Sequence, residues 1–279
     1  MEHRNFALAG LMGWPVAHSR SPDIHNHWMA EHQLRGAYVL LPVSPGTLEQ
    51  ALRALPVLGF AGCNLTIPHK VAAMAFVDEI DPSARRIGAI NTVVVRSDGS
   101  LAGFNTDGFG YTHSLLHEMP TWRADAGPAV VIGAGGAARA VLVSLLEQGA
   151  PEIRLCNRSE DKAQQLAAEL GGPIRVQPWE QRHATLAGAA LLVNTTSQGM
   201  SGQAALDLSL DALPPDALVS DLVYVPLETL LLTAARARGN PVVGGLGMLL
   251  HQARAAFAHW FGTMPAVTPA LRAKVERSL

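Results

Sequence analysis

The fold is decided by the stretch Val130-Val131-Ile132-Gly133-Ala134-Gly135-Gly136-Ala137-Ala138-Arg139-Ala140-Val141. Three β-favouring apolar residues lead into a glycine cluster, and an alanine-rich run at helical spacing follows, which predicts a strand, a tight turn and a helix. Gly133 would permit the turn, Gly135 would let the backbone approach a pyrophosphate, and Ala138 would allow the helix to pack closely on the strand. The stretch indicates a dinucleotide site, although glycine also serves other strand-to-helix turns.

The residues after this turn complete a βαβ unit. A helix is predicted to end at Gly149, and a parallel strand is predicted over 153–157. An NAD site would place a carboxylate at the end of that strand, to bind the ribose 2′-hydroxyl. This chain has Arg158 there, with Lys162 one helical step later, and both could bind a 2′-phosphate. NADP is therefore favoured over NAD, the alternative being two ordinary solvated charges at a helix start.

Composition limits the classes of protein to consider. The chain has 279 residues, 48% of them apolar, and a formal net charge of −2, which is enough for two domains with real cores. No basic footprint suggests nucleic acid, so we expect a small-molecule partner. Cys63 and Cys156 lack metal-ligand spacing and are expected to be free, buried thiols. His25 and His27 would lie on different faces of a helix and could not share a metal, so no metal is expected.

No apolar run approaches the roughly 18 residues of a membrane span. The run Phe6–Met12 is short and leads into a polar motif rather than a cleavage site. We interpret it as the first buried strand. The expected location is the cytoplasm, with no membrane partner.

Two serines follow that first strand. A helix is predicted from about Ser21 to Gln33, because Pro22 suits the first helical turn and Ser21 is a natural N-cap. Ser19 has no such structural role. Two hydroxyls at a strand-to-helix turn suggest hydrogen bonds to a polyhydroxylated ligand.

Lys70 and Asp107 are the candidates for proton transfer. Pro68 ends a strand that begins at about Phe60, and Lys70 follows in the first turn of a helix, where the dipole disfavours a cation. A lysine in that position is favoured to have a chemical role over a solvated one. Asp107 precedes a predicted helix over 108–117, so a structural N-cap role and a catalytic role both remain open. Between them, Asp98-Gly99 predicts a β-hairpin.

The order of motifs along the chain resembles that of the shikimate dehydrogenase family. The first half carries Gly13-x-Pro15-x-x-His18-Ser19-x-Ser21-Pro22-x-x-His25-Asn26, Asn64-x-Thr66-x-Pro68-x-Lys70, Gly88-Ala89-Ile90-Asn91-Thr92 and Asn105-Thr106-Asp107-Gly108. The second half carries Gly133-Ala134-Gly135-Gly136-Ala137, Asn157-Arg158-Ser159, Asn194-Thr195-Thr196-Ser197-Gln198-Gly199-Met200, Asp221-Leu222-Val223-Tyr224-x-Pro226 and Gly245-Leu246-Gly247-Met248-Leu249-Leu250-x-Gln252. The resemblance covers nearly the whole chain.

The resemblance implies the reversible, NADPH-dependent reduction of 3-dehydroshikimate to shikimate in aromatic amino-acid biosynthesis. It implies that Lys70 and Asp107 form the catalytic pair. The substrate would be bound by Ser19, Ser21, Thr66, Asn91, Asp107, Tyr224 and Gln252. NADP would be bound by Gly133, Ala134, Gly135, Gly136, Ala137, Asn157, Arg158, Ser159, Lys162, Leu222 and Gly245.

These patterns together predict a two-domain α/β protein. Residues 106–245 form a Rossmann-type NADP-binding domain, and residues 1–105 form a smaller α/β substrate-binding domain that a C-terminal helix over 246–279 completes. The expected assembly is a monomer or a homodimer. Two alternatives are a quinate/shikimate dehydrogenase using NAD or either cofactor and a non-catalytic ligand-sensing homologue. Arg158 and the paired serines argue against the first, and retention of both Lys70 and Asp107 argues against the second.

Overall fold

The computed structural model describes residues 6–279, and the first five residues of the predicted substrate domain lie outside that range. The strands are β1 (Ala7–Gly13), β2 (Gly36–Pro42), β3 (Phe60–Leu65), β4 (Glu79–Ile80), β5 (Thr92–Val95), β6 (Leu101–Phe104), β7 (Ala129–Ile132), β8 (Ile153–Cys156), β9 (Ile174–Gln177), β10 (Leu191–Asn194), β11 (Leu218–Asp221) and β12 (Val242–Gly244). The helices are α1 (Ser21–Glu31), α2 (Leu48–Ala54), α3 (His69–Ala72), α4 (Pro82–Ile87), α5 (Asp107–Glu118), α6 (Gly136–Glu147), α7 (Glu160–Leu170), α8 (Leu230–Ala237), α9 (Leu246–Phe261) and α10 (Pro269–Glu276).

The chain divides into two compact units. The first runs to Thr106 and includes Leu250–Leu279, and the second is Asp107–Leu249. Each unit has its own six-stranded sheet. The fold is therefore α/β in two domains, and one of them is discontinuous in sequence.

The second unit has the strand order of a Rossmann fold. Its sheet runs β9-β8-β7-β10-β11-β12 and every neighbouring pair is parallel. The order reverses direction between β7 and β10, and ligands of such sheets bind beyond the carboxyl ends of the strands at that point. All four residues of β7 are buried, as expected where helices cover both faces of a parallel sheet. The glycine turn after β7 therefore lies at the reversal point.

The first unit contains a mixed sheet in the order β2-β1-β3-β5-β6-β4. Strands β2, β1 and β3 are parallel, whereas β5 pairs antiparallel with both β3 and β6. The predicted hairpin between β5 and β6 is confirmed, and Asp98 stabilises its turn by accepting from the Ser100 backbone N–H at 2.9 Å. The two-residue strand β4 has no sequence signal of its own because it exists only through pairing with β6.

The C-terminal residues return to the first unit as two helices, so the prediction of one helix over 246–279 is wrong. Helix α9 ends at Phe261, because Gly262 adopts a left-handed φ of 72° and Pro265 follows shortly after. A new helix then begins behind Thr268, whose hydroxyl accepts from the Leu271 N–H at 3.2 Å.

Aromatic side chains attach this C-terminal segment to the rest of the first unit. Trp28 of α1 is fully buried and its indole N–H donates to the Ala266 carbonyl at 2.9 Å. Trp260 of α9 donates in the same way to the Val93 carbonyl at 2.9 Å. Both indoles bury large apolar surfaces while their single polar atom is satisfied. No helix among residues 6–279 is long and apolar enough to cross a membrane.

Candidate active site

The serine pair lies at the start of α1, and the expected N-cap role of Ser21 is wrong. Arg20 occupies the N-cap position without a side-chain cap, and Ser21 is the first helical residue. The Ser19 hydroxyl instead accepts from the Ser21 backbone N–H at 3.2 Å, so Ser19 carries the capping contact. The Ser19 hydroxyl also donates to the Ser21 hydroxyl at 3.2 Å. The two hydroxyls that sequence analysis grouped are adjacent.

Asn91, the residue immediately before β5, is the centre of a buried polar cluster in the first unit. Its Oδ1 accepts from the Thr106 N–H and the Thr92 hydroxyl, both at 2.9 Å. Its Nδ2 donates to the Thr106 hydroxyl at 3.0 Å and to Gln252 Oε1 at 3.4 Å. The predicted substrate residues Asn91 and Gln252 are therefore in contact, although 161 positions separate them.

Thr66 and Lys70 follow β3 at the same edge of the sheet. The Thr66 N–H donates to the Met12 carbonyl at 3.0 Å, and the Ile90 N–H donates to the Lys70 carbonyl at 2.8 Å. A Cβ on Gly13 would collide with the Thr66 side chain, so a larger residue there would displace that side chain. Helix α3 has only four residues, so the dipole opposing Lys70 is weaker than the sequence suggested. These bonds fix the backbone that carries both side chains.

Asp107 begins α5 and is the first residue of the second unit. The helix runs from Asp107 to Glu118, one residue longer at each end than predicted. Only 9% of Asp107 is exposed. A carboxylate in the first turn is favoured by the helix dipole.

The glycine turn after β7 leaves open space at the start of α6. Gly133 has a φ of 110°, and a Cβ there would lie 2.6 Å from Thr195 Oγ1, so no other residue fits. By contrast, a Cβ on Gly135 or Gly136 would project into open space. Ala134 and Ala137 flank that space, and α6, twelve residues long, begins at Gly136. Backbone N–H groups at a helix start beside open space fit a pyrophosphate.

The residues predicted to bind the 2′-phosphate follow β8. The Asn157 side chain donates to the Ser159 carbonyl at 2.7 Å and so shapes the turn into α7. Arg158, Ser159 and Lys162 are exposed. Among residues 6–279, neither Arg158 nor Lys162 forms an ion pair, so both cations are available to an anion. Glu160 and Asp161 stand in the same first turn.

Leu222 and Gly245 are brought together in the second unit. The Gly245 N–H donates to the Val223 carbonyl at 3.2 Å, and a Cβ on Gly245 would collide with the Leu222 backbone. Tyr224 is half-buried in the same loop. The structure thus places the two backbone positions expected at the nicotinamide end side by side.

A buried carboxylate supports these loops. Asp221 accepts from Asn194 Nδ2 at 2.9 Å, from the Val223 N–H at 3.0 Å and from the Thr229 hydroxyl at 2.7 Å. Burial raises the pKa of Asp221, and the three donors oppose that rise. The carboxylate therefore holds the carboxyl ends of β10 and β11 and the start of α8 together.

Several of these residues were missed as site residues by sequence analysis. Asn64, Thr106, Asn194 and Asp221 lie within the motifs that carry the resemblance, so position in a motif was the available signal. Tyr38 lies outside them, and only the fold brings its hydroxyl to Asn64, at 2.8 Å. Among the described residues, no group of three or more His, Cys, Asp or Glu side chains could hold a metal ion.

Three family models match the chain in sequence order. The shikimate dehydrogenase substrate-binding domain matches residues 11–93, shikimate/quinate 5-dehydrogenase matches residues 119–201, and the shikimate 5′-dehydrogenase C-terminal domain matches residues 245–273. Together they span both structural units.

Individual proteins are similar over nearly the full length. Shikimate dehydrogenase (NADP(+)) of Paramagnetospirillum magneticum is 58% identical over 268 residues, 96% of this chain and 97% of that protein. The shikimate 5-dehydrogenase of Thermus thermophilus, solved in complex with NADP(H) and shikimate, has a TM-score of 0.87 at 38% identity, covering 98% of this chain and 100% of that chain. Quinate dehydrogenase of Corynebacterium glutamicum, in complex with NAD, has a TM-score of 0.91 at 31% identity and covers 99% of this chain and 100% of that chain. Because both structures are similar in fold to this chain, the fold alone does not distinguish a shikimate dehydrogenase from a quinate dehydrogenase.

Proposed function

Because the chain belongs to the shikimate dehydrogenase family and catalyses the NADP-dependent interconversion of 3-dehydroshikimate and shikimate, we propose which of its residues bind, orient and protonate the substrate. The observation that carries this proposal is the polar cluster of the first unit. Asn91, Thr106 and Gln252 are joined there by hydrogen bonds in a largely apolar domain.

Ser19 and Ser21 would bind the substrate carboxylate. Their hydroxyls are adjacent, and hydroxyl donors to a carboxylate form the stronger, charge-assisted class of hydrogen bond. Thr66, Asn91, Tyr224 and Gln252 would orient the ring hydroxyls. Fixing the orientation of the reacting carbon removes much of the entropic barrier to the reaction.

Lys70 and Asp107 would act on the reacting oxygen. Reduction of a ketone leaves negative charge on the oxygen, so a nearby acid must protonate it or a cation must stabilise it. The Lys70 ammonium can do both. Asp107 would hold the same hydroxyl or the ammonium in place.

The second unit would hold NADP, which supplies the hydride when bound. The open space beside Gly135 and Gly136 fits the pyrophosphate, and the exposed cations Arg158 and Lys162 fit the 2′-phosphate, with Asn157 and Ser159 shaping that turn. Leu222 and Gly245 would contact the nicotinamide end through the backbone. No step of this arrangement requires a metal.

Replacing Lys70 tests the catalytic assignment. We expect Lys70→Ala to lower kcat by about 10²- to 10⁴-fold and Asp107→Asn by about 10²-fold, because each removes a group acting on the transferred proton. The KM for NADP should stay within about threefold, since neither residue is assigned to the cofactor. Steady-state oxidation of shikimate by the purified variants measures both constants.

Lys274→Ala is the matched control, because Lys274 is an exposed lysine of α10 far along the chain from the assigned residues. Its kinetics should equal those of the unmodified chain. Full turnover by Lys70→Ala would overturn the assignment. Assays of shikimate and quinate, each with NADP and with NAD, complete the test, and comparable turnover of quinate would favour the alternative quinate/shikimate dehydrogenase.

We also propose a cytoplasmic monomer or homodimer without a nucleic-acid partner. The slightly negative net charge supports the last point, since nucleic-acid binding normally requires a basic surface. Light scattering of the purified chain at several concentrations measures the oligomeric state, and a mass above that of a dimer would contradict the proposal.

A further inference from the structure

Helices α5 and α6 of the second unit pack against each other, and each begins at a residue assigned to the reaction. Helix α5 begins at Asp107, and α6 begins at Gly136 in the glycine turn. A Cβ on Gly108 would lie 3.4 Å from the Ala140 carbonyl oxygen, so the two helix backbones approach closely there. Because Ala140 is only four residues after Gly136, the start of α5 lies about one helical turn along the axis from the turn that would hold the pyrophosphate.

Three polar side chains join the same two helices one turn further on. Thr112 Oγ1 of α5 lies 2.6 Å from Ser144 Oγ of α6, so one of the two hydroxyls donates to the other. Gln148, at the C-terminal end of α6, donates from Nε2 to Thr112 Oγ1 at 2.6 Å. The same Nε2 lies 3.2 Å from the Ser144 carbonyl oxygen, which can only accept, so the nitrogen of the amide must face this cluster. Thr112, Ser144 and Gln148 are called the α5–α6 clamp below.

The α5–α6 clamp fixes the position of one helix along the other. Gly108 lies beside Ala140, and Thr112, four residues later, lies beside Ser144, which is four residues after Ala140. The two helices therefore run in the same direction with their turns matched. The contact at Gly108 is van der Waals contact, which needs no alignment and would permit a shift along the axis. Hydrogen bonds need both a short distance and an aligned donor, so the clamp permits one position only.

We propose that Thr112, Ser144 and Gln148 are positioning residues that hold the Asp107 carboxylate at a fixed distance from the cofactor-binding turn. Asp107 and Thr112 belong to one helix, so a shift of α5 along α6 moves both by the same amount. A misplacement of about 1 Å can lower a rate by about 10²-fold when a group must meet the reacting atom in one geometry. Ser144 is only 6% exposed, so water cannot readily replace its partner. The inference rests on the proposed catalytic role of Asp107.

Thr112→Val tests the α5–α6 clamp, because valine keeps the shape of threonine and lacks the hydroxyl. We expect kcat for shikimate oxidation to fall by about tenfold while the KM for NADP stays within about twofold, because the cofactor-binding residues are retained. Thr112→Ser keeps the hydroxyl and should have a kcat within about twofold of that of the unmodified chain. Gln148→Ala, at an exposed position, should lower kcat in the same way as Thr112→Val.

Ser114→Ala is the matched control, because Ser114 also carries a buried hydroxyl on α5. That hydroxyl meets no hydrogen-bond partner within residues 6–279, so its removal breaks no bond to α6. The kinetics of Ser114→Ala should equal those of the unmodified chain.

A double-mutant cycle with Asp107→Asn separates an effect through Asp107 from a general structural effect. If the α5–α6 clamp acts through Asp107, Thr112→Val should lower kcat by less than about twofold in the Asp107→Asn background. The same cycle with Gln148→Ala decides the question if Thr112→Val does not fold.

The outcomes distinguish this inference from the proposed function on which it rests. An unchanged kcat in Asp107→Asn overturns the catalytic assignment of Asp107 and this inference with it. A lowered kcat in Asp107→Asn beside unaltered kinetics in Thr112→Val overturns the inference about the α5–α6 clamp alone. An equal loss in Thr112→Ser, or a full tenfold loss on top of that of Asp107→Asn in the double variant, also overturns it, because a general structural effect would produce either result.

Discussion

Single residues of this protein owe their properties to what surrounds them more than to their type. Arg158 and His25 have opposite surroundings, one exposed to solvent and the other buried. Arg158 is exposed and forms no ion pair within residues 6–279, so its charge remains available. His25 is fully buried among aromatic rings, and burial lowers its pKa to about 3.

Arg158→Ala should weaken the binding of NADP selectively. A charge-assisted bond to the 2′-phosphate is worth about 1.5–3 kcal/mol, so the KM for NADP should rise by about 10- to 100-fold. The KM for NAD should change little, because NAD lacks that phosphate. Arg175→Ala, at another exposed arginine of the second unit, provides the control. Equal effects on both cofactors would contradict the 2′-phosphate assignment.

His25 should make the stability of the protein depend on pH. Its folded pKa of about 3 lies below the unfolded value of 6.5, so only the unfolded chain takes up this proton between those values. Stability therefore falls as the pH decreases below about 6.5. Protonation of His25 in the unfolded chain lowers the free energy of unfolding by up to about 2 kcal/mol between pH 7 and pH 5. His25→Phe should remove that part of the dependence.

Urea unfolding at the two pH values measures the effect. Neither ring nitrogen of His25 meets a hydrogen-bond partner within residues 6–279, so phenylalanine leaves no polar group unpaired. His27→Phe, on another face of α1, is the control and should keep the dependence. If His25→Phe leaves the pH dependence of the unfolding free energy unaltered, His25 is not the cause of that dependence.

The candidate site residues lie near the ends of helices and strands, and buried hydrogen bonds hold those ends in place. Thr229 and Thr268 illustrate the difference between a residue that only caps a helix and one that also binds a second buried group. Both cap a helix, α8 and α10, through a side-chain oxygen. Only Thr229 also donates to a buried carboxylate, that of Asp221.

We expect Thr229→Ala to cost about 3 kcal/mol and Thr268→Ala about 1 kcal/mol of the free energy of unfolding. Loss of the cap contributes about 1 kcal/mol in each, and the remainder is the cost of leaving Asp221 with one donor fewer. Chemical unfolding of both variants measures the difference. Equal losses would show that the bond to Asp221 adds nothing.

Element boundaries were less predictable from sequence than element types. Helix α4 is an example of a local start signal, because the Asp81 side chain accepts from the Ser83 N–H at 2.9 Å and caps the helix there. The capping residue of α1 was misassigned, although its start at Ser21 was predicted, because the choice between Ser19 and Ser21 as the capping side chain depends on the backbone of Arg20. Such a choice depends on three-dimensional geometry.

At the scale of the whole molecule, the proposed substrate and cofactor residues are divided between two units. Ser19, Ser21, Thr66, Asn91 and Gln252 belong to the first, and the glycine turn and Arg158 belong to the second. Asp107 and Tyr224 are the substrate-binding residues proposed in the second unit. Each unit has its own sheet, so we expect each unit to respond to the ligand assigned to it.

Hydrogen exchange should therefore localise each ligand. Shikimate alone should slow amide exchange around residues 19–21, 64–70 and 91–92, because ligand contacts suppress local opening. NADP alone should slow exchange around residues 133–137 and 157–162. The hairpin turn at residues 97–100, which lies outside both proposed sets of ligand contacts, should be unaffected by either ligand. Protection by shikimate confined to the second unit would contradict the assignment.

The amino-acid sequence alone was enough to predict the Rossmann sheet, and it supplied the candidate residues for the site. These depend on local signals, namely apolar strands, glycine turns and motif order, which act over a few residues. Only the tertiary structure decided which polar groups meet. Gln252 reaches Asn91 across 161 positions, and Tyr38 reaches Asn64 across 26. Such contacts depend on how strands and helices pack, and no local pattern encodes that packing.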